Sequence, residues 1–381
     1  MLDDDLRMLQ DSAMRYLERS YSFEQRTHIL ARPEGFDPVR WKEMADLGWL
    51  ALGLPESVGG FGNAASQVVL AEALGQALVV EPWLVNNALC APLLAGQSDA
   101  AHVELASAVT AGSTRLALAA WEIQGRYDAF DVKTQARPVE DGWQISGSKT
   151  LVLGGGAADI LLVLARTQGA QRDLSGLTLF AVPVQTAGVS IAALPTYDGM
   201  QTARVTFDRV PVPGHAVVGM PGDAWFAVEH AIDRATTMAC GIAVGAMAKA
   251  LDMTQTYLRE RVQFGKRITD NQVIRHRLVD MLVAIEQSRA ITQAAADRLD
   301  DDAPARKRAV SLAKAFVSSS GRKVGEESVQ LHGAVGMTDE YAVGHYYKCL
   351  AASANLFGDA HWHHERLTLL ESKAEQELSA S

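Results

Sequence analysis

At 381 residues the chain exceeds what one ordinary core supports, and about two to three domains are expected. Hydrophobic residues make up 48% and charged residues 21%, the balance of a globular protein. Forty-five acids against 35 bases leave a net charge of −10, and no basic run is present to displace phosphate counterions, which argues against nucleic-acid binding.

The opening MLDDDLRMLQ is acidic where a signal peptide is basic, and no stretch is apolar for long enough to span a bilayer. A cytoplasmic chain without a membrane segment is the expectation. Cys90, Cys240 and Cys349 are far apart, odd in number and set among apolar neighbours, so they read as reduced thiols and not as a disulfide frame or zinc site.

Residues 1–111 carry helical grammar. Leu6, Leu9, Met14 and Leu17 recur at near-helical spacing, as do Trp41, Met44, Leu47 and Leu50. LGLPESVGGFGN interrupts the pattern as a loop before SQVVLAEALGQAL resumes it. Between 112 and 215 short apolar runs alternate with turns, and Glu140-Asp141-Gly142 marks a hairpin. Strands without intervening helices predict an antiparallel sheet or barrel, not a βαβ nucleotide fold. From 216 to 381 the chain is helical again. MACGIAVGAMAKALDMTQTYL is rich in small residues that allow close helix contact, and a second long helix is expected from about Gln272 to Leu299.

This order, an α+β chain with a helical domain, a β-domain and a helical bundle, resembles the acyl-CoA dehydrogenase family over nearly its whole length. The motifs that carry the resemblance are WKEMADLGWLALGLPESVGGFGN, ARVTFDRVPVP, YLRERVQFGKRITDNQVIRHRLVDM and VQLHGAVGMTDEYAVGHYYK. The resemblance implies FAD, shared across a subunit boundary, with one subunit's β-domain on the isoalloxazine ring and a neighbour's bundle on the ADP half. Arg261, Gln263, Phe264 and Gly265 match the motif at the pyrophosphate and adenine end. A guanidinium offers paired donors to phosphate oxygens, and glycine lets backbone approach. Gln272 would add an amide contact, and Gln330, Gly333 and Gly336 would form a second wall. Taken singly, each has a plainer reading: a solvated arginine, a core phenylalanine, a glycine turn.

The ring half departs from the family pattern. LALAAWEIQGRYDAF keeps Glu122 but lacks the family's Thr and Gly-Ser pair, and Leu151 and Leu153 stand where Trp and Thr are usual. Leucine offers no hydrogen bond to a pyrimidine edge. The α-proton of the thioester needs a carboxylate within hydrogen-bond reach. Phe357 occupies the family's usual Glu position, before Gly358, and Ala235 occupies the alternative one on the first bundle helix. Asp359 is the nearest substitute base, although Asp before AHWHHERL is also a common helix N-cap, and the cap is the favoured reading. Asp233 is a weaker candidate. His361, His363 and His364 lack companion ligands and read as a polar helix surface without a metal. His332 belongs to the glycine loop.

The resemblance thus points to a chain that supplies the ADP-binding half of FAD to a homologous catalytic subunit. Bacterial α2β2 dehydrogenases of steroid CoA thioesters are built this way. An acyl-CoA substrate and electron-transfer flavoprotein as acceptor follow from the same resemblance. The alternatives are a homotetrameric acyl-CoA dehydrogenase using Asp359, or a flavin oxidase or monooxygenase of this fold.

Overall fold

The computed structural model describes residues 4–32 and 34–380, with backbone alone for 373–380. The first three residues of the acidic start therefore lie outside the described part. The helices are α1 (Asp4–Ser20), α2 (Phe23–Leu30), α3 (Pro38–Asp46), α4 (Ala64–Gln76), α5 (Ala91–Ala95), α6 (Ala100–Thr110), α7 (Trp225–Glu260), α8 (Gln272–Ala296), α9 (Ala303–His332), α10 (Ala342–Ser353) and α11 (Ala360–Ala380). The strands are β1 (Leu116–Ala119), β2 (Gln135–Val139), β3 (Gly142–Leu153), β4 (Ile160–Arg166), β5 (Leu177–Pro183), β6 (Val189–Pro195), β7 (Gln201–Pro213), β8 (Val217–Val218), β9 (Val262–Gln263) and β10 (Lys266–Arg267). Among the described residues no helix is long and apolar enough to cross a membrane.

The chain forms two compact units, residues 28–63 with 80–235, and residues 1–27 with 64–79 and 236–381. The first holds an eight-stranded sheet in the order β6-β7-β3-β2-β4-β5-β8, with β1 paired to β4. Most pairs are antiparallel, as the sequence suggests, and Glu140-Asp141 turn β2 into β3 with Val139 opposite Gly142. Two pairings are parallel: β1 with β4, and β2 with β4 at a single residue pair. β1 is buried at all four positions, so its continuous Leu-Ala-Leu-Ala run suits a strand covered on both faces.

In the second unit, α7 to α10 pack around Met247, Leu251, Met281, Ile285, Val317, Val324 and Leu350. The small residues expected to allow close approach do so. A β-carbon on Gly245 would stand 1.9 Å from the Glu72 carbonyl, and one on Gly75 2.0 Å from that of Ile242. An Arg289–Glu72 ion pair at 2.7 Å joins α8 to α4. Cys90 and Cys240 are buried and Cys349 half-buried, all unbridged.

Candidate cofactor site

In the helical unit α7 ends at Glu260, and Arg261 leads into the β9–β10 hairpin, where Gln263 pairs with Lys266. Both turn residues are left-handed, Phe264 at φ 53° and Gly265 at φ 77°. This is the backbone of a tight hairpin that ordinarily selects Asn-Gly, so a phenylalanine at its first position is strained. The Phe264 side chain is 98% exposed, so no packing within the chain rewards that strain. Among the described residues the Arg261 side chain has no ion-pair or hydrogen-bond partner. Gln272, exposed, opens α8 just beyond.

The second predicted wall adjoins the first. Gln330 is exposed on the last turn of α9, and Gly333 follows at φ 64°. Nothing lies within 4 Å of a β-carbon built on Gly333 or on Gly265. Gly336 is different, since its β-carbon would meet the Val329 carbonyl at 2.9 Å. The two walls are joined by aromatic rings that the sequence did not single out. Tyr257, whose carbonyl accepts from Arg261 N at 2.9 Å, stacks on His332 with centroids 4.6 Å apart. Tyr341 leans on the same imidazole at 5.1 Å. His332 Nδ1 lies 2.8 Å from the Ser328 carbonyl and so carries the ring proton there. Burial lowers the His332 pKa, and the ring packs between the two tyrosines from the last residue of α9, so it closes the helix and, contrary to expectation, is not itself in the glycine loop.

In the sheet unit, Glu122 is held by structural contacts. Its carboxylate lies 2.8 Å from Lys149 Nζ, and both side chains are buried. It also accepts from Lys133 N, Thr134 N and Gln124 Nε2 at 2.9–3.0 Å. Burial alone would raise its pKa, but the Lys149 charge and these hydrogen bonds hold it down to about 2. Two residues past Lys149 the β3–β7 register shifts, and in this bulge Leu151 adopts φ 49° with its side chain 57% exposed. Leu153 is buried, and Gly154 turns the chain at φ 69°.

The expected base positions hold no carboxylate. Ala235 is fully buried on α7, and Asp233, also buried there, already has an interaction partner. Phe357 is buried and left-handed at φ 58° in the turn between α10 and α11. Asp359 Oδ1 accepts from Trp362 N at 2.8 Å, which makes it the N-cap of α11. The turn is pinned by a residue that the sequence does not advertise, Lys314 of α9. Its ammonium, 1% exposed, has Ser318 Oγ and the carbonyls of Ser353, Ala354 and Gly358 within 2.8–3.1 Å, four acceptors that share its three N–H groups. Its spacing of four and three from Val310 and Val317, on the apolar face of α9, is the one available signal.

One histidine reading needs correction. His361 pairs with Glu365 at 3.1 Å on the surface, but His363 is buried against Ser311 Oγ at 3.1 Å. It lies on the inward face of α11, and burial followed by the Lys314 and Arg366 charges pushes its pKa down to about 2. Among the described residues no group of three or more His, Cys, Asp or Glu side chains is placed to hold a metal ion.

Three family models cover most of the chain: the acyl-CoA dehydrogenase N-terminal domain over residues 3–112, its middle domain over 117–210 and its C-terminal domain over 223–363. The chain belongs to the acyl-CoA dehydrogenase family of FAD-dependent oxidoreductases acting on acyl-CoA. It is 28% identical over 320 residues to the mitochondrial short-chain specific acyl-CoA dehydrogenase of Homo sapiens, covering 82% of this chain and 77% of that one. The acryloyl-CoA reductase (NADH) of Anaerotignum propionicum is likewise 28% identical, over 83% and 82%. Among solved structures, a variant of the Tcur3481-Tcur3483 steroid ACAD superposes with a TM-score of 0.87 at 27% identity, covering 98% and 99%. The ChsE4-ChsE5 complex from Mycobacterium tuberculosis (TM-score 0.85, 24% identity, 100% and 99% covered) and the FAD complex of PigA (0.89, 20%, 96% and 97%) share the fold.

Proposed function

We propose that this chain is one subunit of a heteromeric acyl-CoA dehydrogenase that introduces an α,β double bond into a CoA thioester, of the steroid side-chain type. It contributes the ADP-binding half of the FAD site to a homologous catalytic subunit. The observation that carries this reading is an asymmetry between the two ends of the cofactor. Arg261 is an uncommitted guanidinium beside a strained, exposed Phe264, with open space at Gly265 and Gly333, and these fit a pyrophosphate and adenine. The ring end does not fit: Glu122 is spent on Lys149, and Leu151 and Leu153 bring no polar atom.

FAD, when bound, supplies the hydride acceptor for the desaturation. This chain would hold its adenosine end through Arg261, Gln263, Phe264, Gly265 and Gln272, with Gln330, Gly333 and Gly336 opposite. The α-proton needs a carboxylate, and Asp359 is engaged as a cap, so the base would come from the partner subunit. Electron-transfer flavoprotein is the acceptor we assign. The steroid assignment leans on the Tcur3481-Tcur3483 steroid enzyme, a protein named for two chains.

Flavin content and subunit ratio test this directly. Little or no FAD on the chain purified alone, and one FAD per pair after co-expression with a homologous subunit, is the expected result. About one FAD per isolated chain together with turnover would replace the reading by a self-sufficient homomer.

A further inference from the structure

The helical unit buries a positive charge that the cofactor reading does not use. Lys314, on α9, sends its ammonium into the junction where α10 ends and α11 begins. Four oxygens surround it: Ser318 Oγ at 2.8 Å, the Ser353 and Gly358 carbonyls at 3.0 Å and the Ala354 carbonyl at 3.1 Å. They come from three segments: the next turn of α9, the last residue and C-cap of α10, and the residue before the Asp359 cap. Among the described residues no carboxylate lies within ion-pair distance of Lys314, so neutral oxygens carry the charge.

These distances describe an ion cage more than a set of hydrogen bonds. An ammonium has three N–H groups and cannot aim one at each of four oxygens, so part of the attraction is that of a charge among dipoles. The Ser353 and Ala354 carbonyls lie at the C-terminal end of α10, where the helix dipole is negative. Burial lowers the ammonium's pKa to about 8, with Cys240 and Asp359 acting against that. Separations of 2.8–3.1 Å are too long for the common divalent ions. Calcium takes its oxygens at about 2.3–2.6 Å and magnesium at about 2.0–2.1 Å. A large monovalent ion is the class that fits, and backbone carbonyls replace the hydration shell of potassium in the same manner.

We propose that the α9–α10–α11 junction is a monovalent-cation site whose resident ion is the tethered Lys314 ammonium, and that free potassium or ammonium ion takes its place when the tether is removed. The site does not depend on the cofactor reading. Its ion joins the end of α10 to Gly358 and so holds the turn of Phe357, whose backbone is left-handed at φ 58°. Lys314 is thus a positioning residue, acting on that turn through three carbonyls.

Lys314→Ala in the full-length protein empties the cage, and Lys314→Met, which fills the space with an apolar chain, is the control. Thermal unfolding is followed in choline chloride, LiCl, NaCl, KCl or NH4Cl at one ionic strength and neutral pH. Lys314→Ala should melt several degrees higher in about 200 mM KCl or NH4Cl than in choline chloride, saturably, and gain little from LiCl or NaCl. Wild type and Lys314→Met should show no preference among these salts. Adding Ser318→Ala to Lys314→Ala removes one cage oxygen and should raise the half-effective potassium concentration roughly threefold or more. Refolding from urea is a second readout that needs no stable starting material, and the yield of Lys314→Ala should recover in KCl and NH4Cl but not in choline chloride. Equal behaviour of Lys314→Ala in all five salts would overturn the proposal, and so would failure to refold in every salt. A potassium response of the same size in Lys314→Met would overturn it too, by placing the ion elsewhere in the molecule.

Discussion

At the scale of single residues, the buried Glu122–Lys149 pair shows a carboxylate committed to structure. The carboxylate ties three segments together through Lys149, the 133–134 backbone and Gln124. Breaking such a pair from one side strands a buried charge, so Lys149→Met should destabilise the fold by about 3–5 kcal/mol in urea titrations. Glu122 also sets a pH dependence. Its folded pKa lies near 2, below the ordinary 4.5, so its contribution is full above about 4.5 and drains away as pH falls toward 2. Stability of Glu122→Gln should therefore be flatter than wild type between pH 6 and 3, and parallel curves would remove Glu122 from the account. Asp359 is tested in the same way. As a cap, Asp359→Ala should cost about 1 kcal/mol and Asp359→Asn almost nothing, with turnover of the assembled enzyme preserved in both. Abolished turnover in both variants would make it the base. The sequence names Glu122 and Asp359 but does not settle their roles. A cap is local and legible from the three residues that follow it, whereas Lys149 meets Glu122 only once β3 lies beside the segment after β1.

At the scale of elements, three strained positions coincide with the proposed site. Among the described residues six non-glycines have left-handed backbones, and Leu151, Phe264 and Phe357 fall at the proposed ring end, the proposed ADP end and the position where the resemblance expects a base. Strain of this kind persists where surrounding structure over-determines it, as Lys314 and the Asp359 cap do for the turn holding Phe357. The hairpin at Phe264 has no such internal reward, because its side chain is almost wholly exposed. Phe264→Gly should leave stability unchanged or raise it by up to about 1 kcal/mol, as relief of strain offsets the entropy of glycine. The same variant should release FAD from the assembled enzyme about tenfold faster, if the ring contacts the nucleotide. Lost stability with unchanged FAD release would assign Phe264 to packing. Helices and the β2–β3 turn are readable because their signals lie within a few residues. The parallel β1–β4 pairing is not, since it depends on residues 44 apart in the chain meeting in register. Lys314 is hidden for a similar reason: a lysine in AVSLAKAFVSSSG looks solvated until the α10–α11 turn is seen to close over it.

At the scale of the whole molecule, a chain that holds half a cofactor differs thermodynamically from one that holds all of it. A ligand that binds only the folded state stabilises it by RT ln(1 + [L]/Kd), about 2.7 kcal/mol at a hundredfold excess over Kd. On the proposed reading the isolated chain offers the ADP end alone, and Leu151 is exposed where ring contacts would be needed. Its Kd for FAD should then be weak, and adding about 100 μM FAD should shift its melting temperature by less than a degree. ADP and FAD should give equal shifts, because the isoalloxazine ring adds nothing. If the ring gains its contacts from a partner subunit, as proposed, FAD should raise the melting temperature of the assembled enzyme by several degrees and ADP by far less. The ratio of the FAD shift to the ADP shift therefore reports which chain holds the ring, independently of any turnover. A FAD shift well above the ADP shift in the isolated chain would mean that the ring is bound here after all, with Leu151 and Leu153 forming its floor. Equal, small shifts in the chain alone and divergent shifts in the complex would locate the two halves of the cofactor site on two different sequences.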